Sequence, residues 1–446
     1  MAEITLKQAA LWCGGYVEEK YENVTFLGGN NDTRILKPGQ LFIVLQGARD
    51  GHDFIPAAME NGAAAVLCSR KVGDYPAIYV EDPRIALGKI AAEELKRIGC
   101  KVVGVTGSVG KSTTKEMIAS VLESTYRISK TPANHNDIGM PMAILSMGLD
   151  TEIAVLEMGM NHFREIAYLS NIARPDVSVI INVGSMHIEF LGSREGIRKA
   201  KMEIVEGMAP EGQLLLNGDN DMLQTLDEIP VQPITYFGTG ENAAVRGVDA
   251  VQTTEKLSFR VEAGENSFPV ELFLEGEHFI PDALAAVSVG LKLGVTPENI
   301  RQSLMAFQNM AGRQEIFKEA GFTIIKDCYN AGPESMAAAL NVLARREGRK
   351  IAVLGDMLEL GDCAPAEHFK LGRLAAEKAD LIFAYGPYAP KVVAGAGDEK
   401  AKAFTDHGVL AEALKASARE GDILLFKGSR GMHMEISLEK FLSKEK

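Results

Sequence analysis

The stretch Val102-Val103-Gly104-Val105-Thr106-Gly107-Ser108-Val109-Gly110-Lys111-Ser112-Thr113 decides how this chain folds. Its apolar start suits a buried parallel strand, and a glycine-rich turn then leads into Lys-Ser-Thr, which opens a helix. That order suits phosphate binding. Glycines let backbone N–H groups approach the oxygens, the helix N-terminus favours anions, and Lys111 adds a positive charge. The Ser112 hydroxyl suits a Mg²⁺ ion. The strict GxxxxGK[ST] spacing is not met, because Val105 holds the first glycine position. A glycine turn that merely starts a helix is the plainer reading of the same residues.

Downstream of this loop, strand and helix patterns alternate. Strands are predicted at Ile153–Leu156, Val177–Ile181 and Gln213–Leu216, and the helix after the loop places Met117, Ile118, Val121 and Leu122 on one face. This pattern predicts a mostly parallel sheet covered by helices. Leu257, Phe259 and Val261, the turn Gly264-Glu265-Asn266, and Phe268, Val270, Leu272 and Leu274 read as an appended antiparallel hairpin. Upstream, a strand Leu41–Leu45 and a helix Ile85–Ile98 belong to a small α/β unit. Beyond Arg313, strands at Ile351–Leu354, Leu381–Ala384 and Ile423–Phe426 mark a second, Rossmann-like α/β unit. The expected fold is therefore α/β with three domains, at residues 1–99, 100–311 and 312–446, which suits a chain of 446 residues.

Several side chains stand where open sheets bind ligands, just past strand carboxyl ends. Glu157 is placed to hold Mg²⁺ against phosphates, although a solvated strand-end acid fits equally. His187 follows the loop Asn182-Val183-Gly184-Ser185-Met186 and is a ligand or a structural histidine. Lys201 lies in a charged helical stretch that also reads as a solvated face. Arg313, at the junction of the second and third units, can reach phosphates bidentately or form a junction salt bridge. Asp327-Cys328-Tyr329-Asn330-Ala331-Gly332-Pro333 fits a ligand-facing loop or a plain turn.

Composition narrows the function classes. A net charge of −13 argues against a nucleic-acid binder. Five scattered cysteines without a CxxC pair point to reduced thiols, and hence to a cytoplasmic protein. No signal peptide or membrane-spanning run is apparent, and a monomer is expected.

Together these residues resemble the Mur ligase family over essentially the full length. The resemblance also rests on Asp32-Thr33-Arg34-Ile35, Gly47-Ala48-Arg49-Asp50-Gly51-His52, Thr131-Pro132-Ala133-Asn134-His135-Asn136-Asp137-Ile138-Gly139, Glu157-Met158-Gly159-Met160 and Gly312-Arg313-Gln314-Glu315. Leu354-Gly355-Asp356-Met357-Leu358-Glu359-Leu360-Gly361 and Lys427-Gly428-Ser429-Arg430-Gly431-Met432-His433-Met434-Glu435 look most like the branch that joins D-alanyl-D-alanine to UDP-N-acetylmuramoyl-tripeptide.

The resemblance implies an ATP-dependent amide ligase working through an acyl phosphate in peptidoglycan precursor synthesis, with ATP and two Mg²⁺ ions. It implies that Thr106, Gly107, Ser108, Val109, Gly110, Lys111, Ser112 and Thr113 bind ATP, together with His278, Asp282, Arg313, Asp327 and Asn330. Lys111, His187, Lys201 and Arg313 would be catalytic. Ser112, Glu157, His187 and a carbamylated Lys201 would hold metal. Thr33, Arg34, Arg49, Asp50, Gly51, His52, Asn134 and Asn136 would contact the UDP-sugar peptide. The family's His-Asn-x-x-Asn pattern reads here His278-Phe279-Ile280-Pro281-Asp282, so both asparagines are replaced. Other readings are a sister ligase, such as the tripeptide-forming or folylpolyglutamate-type enzymes, or a nucleotide-gated regulatory protein that joins nothing.

Overall fold

The computed structural model describes every residue except 1, 2, 48, 72, 133–135, 227 and 444–446. Its centre is a nine-stranded sheet ordered Asn266–Leu272, Leu257–Ala263, Val245–Gln252, Ile234–Gly238, Gln213–Asn217, Val177–Ile180, Lys101–Thr106, Ile153–Glu157, Ile128–Lys130. Pairing is parallel from Ile128–Lys130 through to Val245–Gln252. It turns antiparallel for the last two strands, where Ala263 faces Asn266 across a tight turn with Gly264 at φ 60°. The expected hairpin is therefore the outer part of a three-stranded extension.

Lys101–Thr106 is apolar on both faces because helices cover both. Met117, Ile118, Val121 and Leu122 of helix Lys111–Glu123 pack on one side with helix Ile280–Lys292. Ile166, Leu169 and Ile172 of helix Glu165–Ala173 pack on the other. Register then places the chemistry. Glu157 stands opposite Val105, and Ile180 opposite Thr106, so three strands end together around the glycine-rich loop. After Lys101–Thr106 the chain goes to one side of the sheet, and after Ile153–Glu157 it returns to the other, which makes the loop a topological switch point.

The third segment carries a six-stranded sheet ordered Glu315–Glu319, Phe322–Asp327, Ile423–Lys427, Lys350–Gly355, Leu381–Tyr385, Ala401–Phe404, parallel except at Glu315–Glu319. Its carboxyl edge brings Asp327 level with Lys427. The first segment has a five-stranded sheet ordered Tyr16–Val17, Ala77–Tyr79, Ala65–Cys68, Leu41–Ile43, Gly29–Asn30, and a two-stranded pair of Ile4–Thr5 with Thr25–Phe26. Helix Pro83–Ile98 starts where Asp82 accepts from Arg84 N and Ile85 N, and stops at Gly99 with φ 70°. Gly88 lets this helix close on the central unit, because a Cβ there would lie 2.2 Å from Tyr168 Oη. Among the described residues no helix is long and apolar enough to cross a membrane.

Candidate active site

The glycine-rich loop is braced from beneath by a residue the sequence reading passed over. Asn182 Oδ1 accepts from Ser108 N (3.0 Å) and Val109 N (2.9 Å), while its Nδ2 donates to Val109 O (2.8 Å). Asn182 follows strand Val177–Ile180, the immediate neighbour of Lys101–Thr106, so the brace comes from the next strand in the sheet. Two glycines are required by space. A Cβ at Gly107 would lie 2.1 Å from Ile181 Cγ2, and Gly110 has φ 84° with Asp282 Oδ1 2.8 Å from where its Cβ would stand.

Lys111 opens the helix and folds its amine back onto the carbonyls of Gly107 (2.9 Å) and Ser108 (3.4 Å). Burial lowers its pKa below the ordinary lysine value; Glu157 pulls it back up and Arg313 pushes it down. Ser112 links two parts of the chain: its hydroxyl donates to Glu157 Oε1 (3.1 Å) and accepts from Arg313 Nη2 (2.9 Å). The Arg313 guanidinium lies 4.0 Å over the Tyr329 ring, which fixes its plane. Arg313 is thus drawn across the junction onto the phosphate loop rather than into a junction salt bridge. Lys115, unremarked in the sequence reading, is buried with its amine 2.7 Å from Thr131 O and 4.0 Å from Glu157.

Asp282 lies under the same loop. It is 5% exposed, accepts from Thr114 Oγ1 at 2.7 Å, and burial pushes its pKa up to about 7. His278, at the start of the same helical stretch, is exposed and rests against Phe279 with ring centroids 4.2 Å apart.

His187 sits at φ 65° just past the loop from Asn182, and its Nδ1 is 2.5 Å from Glu359 Oε2 of the third segment. The two are misaligned for a hydrogen bond. Beside them Glu334 Oε1 accepts from both Ser185 N and Ser185 Oγ at 2.9 Å. Lys201 is 1% exposed on helix Arg194–Met202, so it is no solvated face. It has no hydrogen-bond or ion-pair partner among the described residues, and burial lowers its pKa well below the ordinary value, with Lys111 adding to the effect. Among the described residues no three His, Cys, Asp or Glu side chains are placed to hold a metal ion by themselves.

On the third sheet's edge, Asp327 is held by Lys427 Nζ (2.7 Å) and accepts from Gln314 N (3.3 Å). Lys427 also donates to Asn330 O (2.9 Å), while the Asn330 side chain accepts from Ala331 N (2.8 Å).

Of the residues expected to contact a sugar nucleotide, Thr33 and Arg34 follow strand Gly29–Asn30, and Arg49, Asp50, Gly51 and His52 follow Leu41–Ile43. Asp50 accepts from His52 N (3.0 Å), lies 2.6 Å from His52 Nδ1, and pairs with Arg70 (2.6 Å), a cation the sequence reading did not single out. These bonds, led by that from the His52 N–H, hold the Asp50 carboxyl below its usual range. Gly51 passes so close to Leu45 O that a Cβ would lie 2.5 Å away. Arg34 pairs with Asp32 (2.6 Å), Asn61 Nδ2 donates to Thr33 O (2.9 Å), and Arg49 is exposed. Asn136 accepts from Gly139 N (2.8 Å) at the start of helix Gly139–Leu145, and Asn134 lies outside the described residues.

The Mur ligase middle domain matches residues 105–290, and the Mur ligase, glutamate ligase domain matches residues 312–430. The UDP-N-acetylmuramoyl-tripeptide--D-alanyl-D-alanine ligase of Bacillus subtilis is 41% identical over 95% of this chain and 94% of its own length. A crystal structure of MurF from Acinetobacter baumannii superposes over 100% of both chains with a TM-score of 0.92 at 32% identity. MurF of Thermotoga maritima in complex with ADP covers 93% of this chain and 97% of its own, with a TM-score of 0.83 at 33% identity.

Proposed function

The chain belongs to the Mur ligase family, and from that premise we propose its reaction: ATP-dependent joining of D-alanyl-D-alanine to UDP-N-acetylmuramoyl-tripeptide, with release of ADP and phosphate. The observation that carries the reading is the near-full-length likeness to ligases of that name. The geometry supplies the chemistry.

A carboxylate is a poor electrophile and must be activated. The tripeptide carboxylate attacks the γ-phosphorus of ATP, the bond to the β,γ-bridging oxygen breaks, and ADP leaves an acyl phosphate. The D-alanyl-D-alanine amine then adds to the acyl carbon and the C–O bond to phosphate breaks, giving the amide. One amine proton is lost to solvent or to the departing phosphate. This chain contributes positioning and charge neutralisation. The N–H groups opening helix Lys111–Glu123 and the Lys111 amine would meet the phosphates, and Arg313 reaches Ser112 in the same turn from the third segment. Because Ser112 joins loop and Arg313, nucleotide binding and apposition of the two α/β units are coupled, which keeps water from the acyl phosphate.

The Ser112 hydroxyl and Glu157 carboxylate fit a Mg²⁺ ion whose remaining oxygen ligands come from the nucleotide. When bound, Mg²⁺ would neutralise phosphate charge. A second ion would use His187 and Lys201. A lysine amine is no ligand for Mg²⁺, but burial favours the neutral form of the Lys201 amine, which would add CO₂ and, on losing a proton, become a carbamate whose one negative charge is shared by two oxygens. Residues 1–99 would bind the UDP-sugar, residues 100–311 ATP, and residues 312–446 would complete the site from above.

The test is phosphate release with each substrate omitted in turn. The reading requires ATP, UDP-N-acetylmuramoyl-tripeptide and D-alanyl-D-alanine together, with the new amide seen by mass spectrometry. Equal phosphate release without the dipeptide, and no amide product, would overturn it.

A further inference from the structure

The second half-reaction needs an amine delivered to the acyl carbonyl, which forms beside Lys111, Ser112 and Arg313. The amine enters as an ammonium, and an anionic side chain at the junction would orient it. Most carboxylates near the loop are committed. Glu157 is fully buried and accepts from Ser112. Asp282 is buried beneath the loop against Thr114. Asp327 is held by Lys427. Glu334 accepts two bonds from Ser185.

Glu359 differs. Its side chain is 40% exposed, and only Oε2 meets a partner, His187 Nδ1, without hydrogen-bond alignment. Oε1 has no hydrogen bond among the described residues. The His187 contact holds the Glu359 carboxyl below its ordinary range, and Lys111 adds a smaller push in the same direction. The loop that carries Glu359 is also built with unusual care. Glu359 takes φ 63°, a left-handed conformation that a glutamate adopts only when its surroundings impose it. Those surroundings are buried and polar. Met357 N donates to His368 Nε2 (2.9 Å), Leu358 N to Ser429 Oγ (2.9 Å), and Ser429 N to Asp356 O (3.1 Å). Tyr388 N donates to the Asp356 carboxylate at 3.0 Å. A surface loop with no task does not need four such restraints to aim a strained carboxylate at the cleft.

We propose that Glu359 is the substrate-binding residue that holds the ammonium of the incoming D-alanyl-D-alanine beside the acyl phosphate, until that ammonium gives one proton to solvent and attacks as the neutral amine. This rests on the ligase reading above. A simple closing latch through His187 would explain the 2.5 Å contact but neither the unbonded Oε1 nor the exposure.

Glu359→Gln keeps shape and removes charge, and Glu359→Asp restores charge at a position whose backbone suits aspartate better than glutamate. Two readouts are needed. The first is acyl-phosphate formation from ATP and UDP-N-acetylmuramoyl-tripeptide without dipeptide, trapped by hydroxylamine. The second is KM for each substrate in the complete reaction. The expected result is trapping equal to wild type, an unchanged KM for the UDP-tripeptide, and a KM for D-alanyl-D-alanine raised roughly ten- to a hundredfold in Glu359→Gln and largely recovered in Glu359→Asp. An unchanged dipeptide KM overturns the proposal. So does a matching loss in the trapping reaction, which marks a latch, or a raised KM for the UDP-tripeptide, which marks a contact to that peptide. If the wild-type protein itself forms no acyl phosphate, the ligase reading has failed instead.

Discussion

Replacing Asp282 by asparagine removes a carboxyl that the fold holds against the phosphate loop. The residue is 5% exposed, its Oδ1 is 2.7 Å from Thr114 Oγ1, and burial raises its pKa from the ordinary 3.8 to about 7. Between those values the folded chain keeps a proton that the unfolded chain has released. Stability is therefore undiminished below about pH 4, falls as pH rises toward 7, and is level above it. The loss grows by about 1.4 kcal/mol per pH unit and reaches on the order of 4 kcal/mol. Asparagine keeps an acceptor for Thr114 and never ionises. Thermal melts of wild type and Asp282→Asn should differ more at pH 8 than at pH 5, with the variant the more stable. Function should follow the same window. Above pH 7 the wild type carries an anion beside Gly110, where phosphates would bind, so Asp282→Asn should bind ATP more tightly at pH 8 in calorimetry and nearly equally at pH 6. A melting-temperature difference independent of pH would mean that Asp282 titrates as an ordinary carboxylate and would refute the reasoning.

Lys111→Ala should lower turnover by several orders of magnitude while calorimetry shows UDP-substrate affinity largely retained, since the Lys111 amine is bonded to carbonyls of the phosphate loop. Asn182→Ala leaves the Ser108 and Val109 amides without their brace, and should raise the KM for ATP about tenfold without changing the KM for the UDP-tripeptide. For Lys201→Ala, activity should fall and added bicarbonate should not restore it, whereas in wild type the intact-protein mass should show one CO₂ adduct under bicarbonate; full activity in the variant would remove the carbamate from the reading.

What the sequence made legible was whatever a strand and its own following loop determine. Val102–Val105 reads as a central strand because apolar residues face both ways, and Gly107, Gly110 and Lys111 follow it directly. Glu157 was found by the same rule one strand over, and the parallel register turned that position into contact with Ser112. The hairpin Leu257–Leu272 was visible in its alternation, whereas the third strand of that extension, Val245–Gln252, was not. Its register shift between Val248 and Val251 breaks the period of two on which such recognition depends.

The residues that escaped are those defined by a partner far along the chain. Asn182 gains meaning only when its strand lies beside Lys101–Thr106, and nothing local distinguishes it from any turn asparagine. Lys427 is a lysine after an apolar strand until register sets it against Asp327. Glu359 is further removed still, because the loop that carries it is held by bonds of Asp356, Met357 and Leu358 with Tyr388, His368 and Ser429, and its partner His187 lies in another unit. The same division separates the two half-reactions. Phosphate handling is written into one contiguous loop, so the nucleotide was readable from twelve residues. Delivery of the amine, as proposed, depends on the apposition of two sheets, and only the assembled molecule brings Glu359 against His187 at that junction.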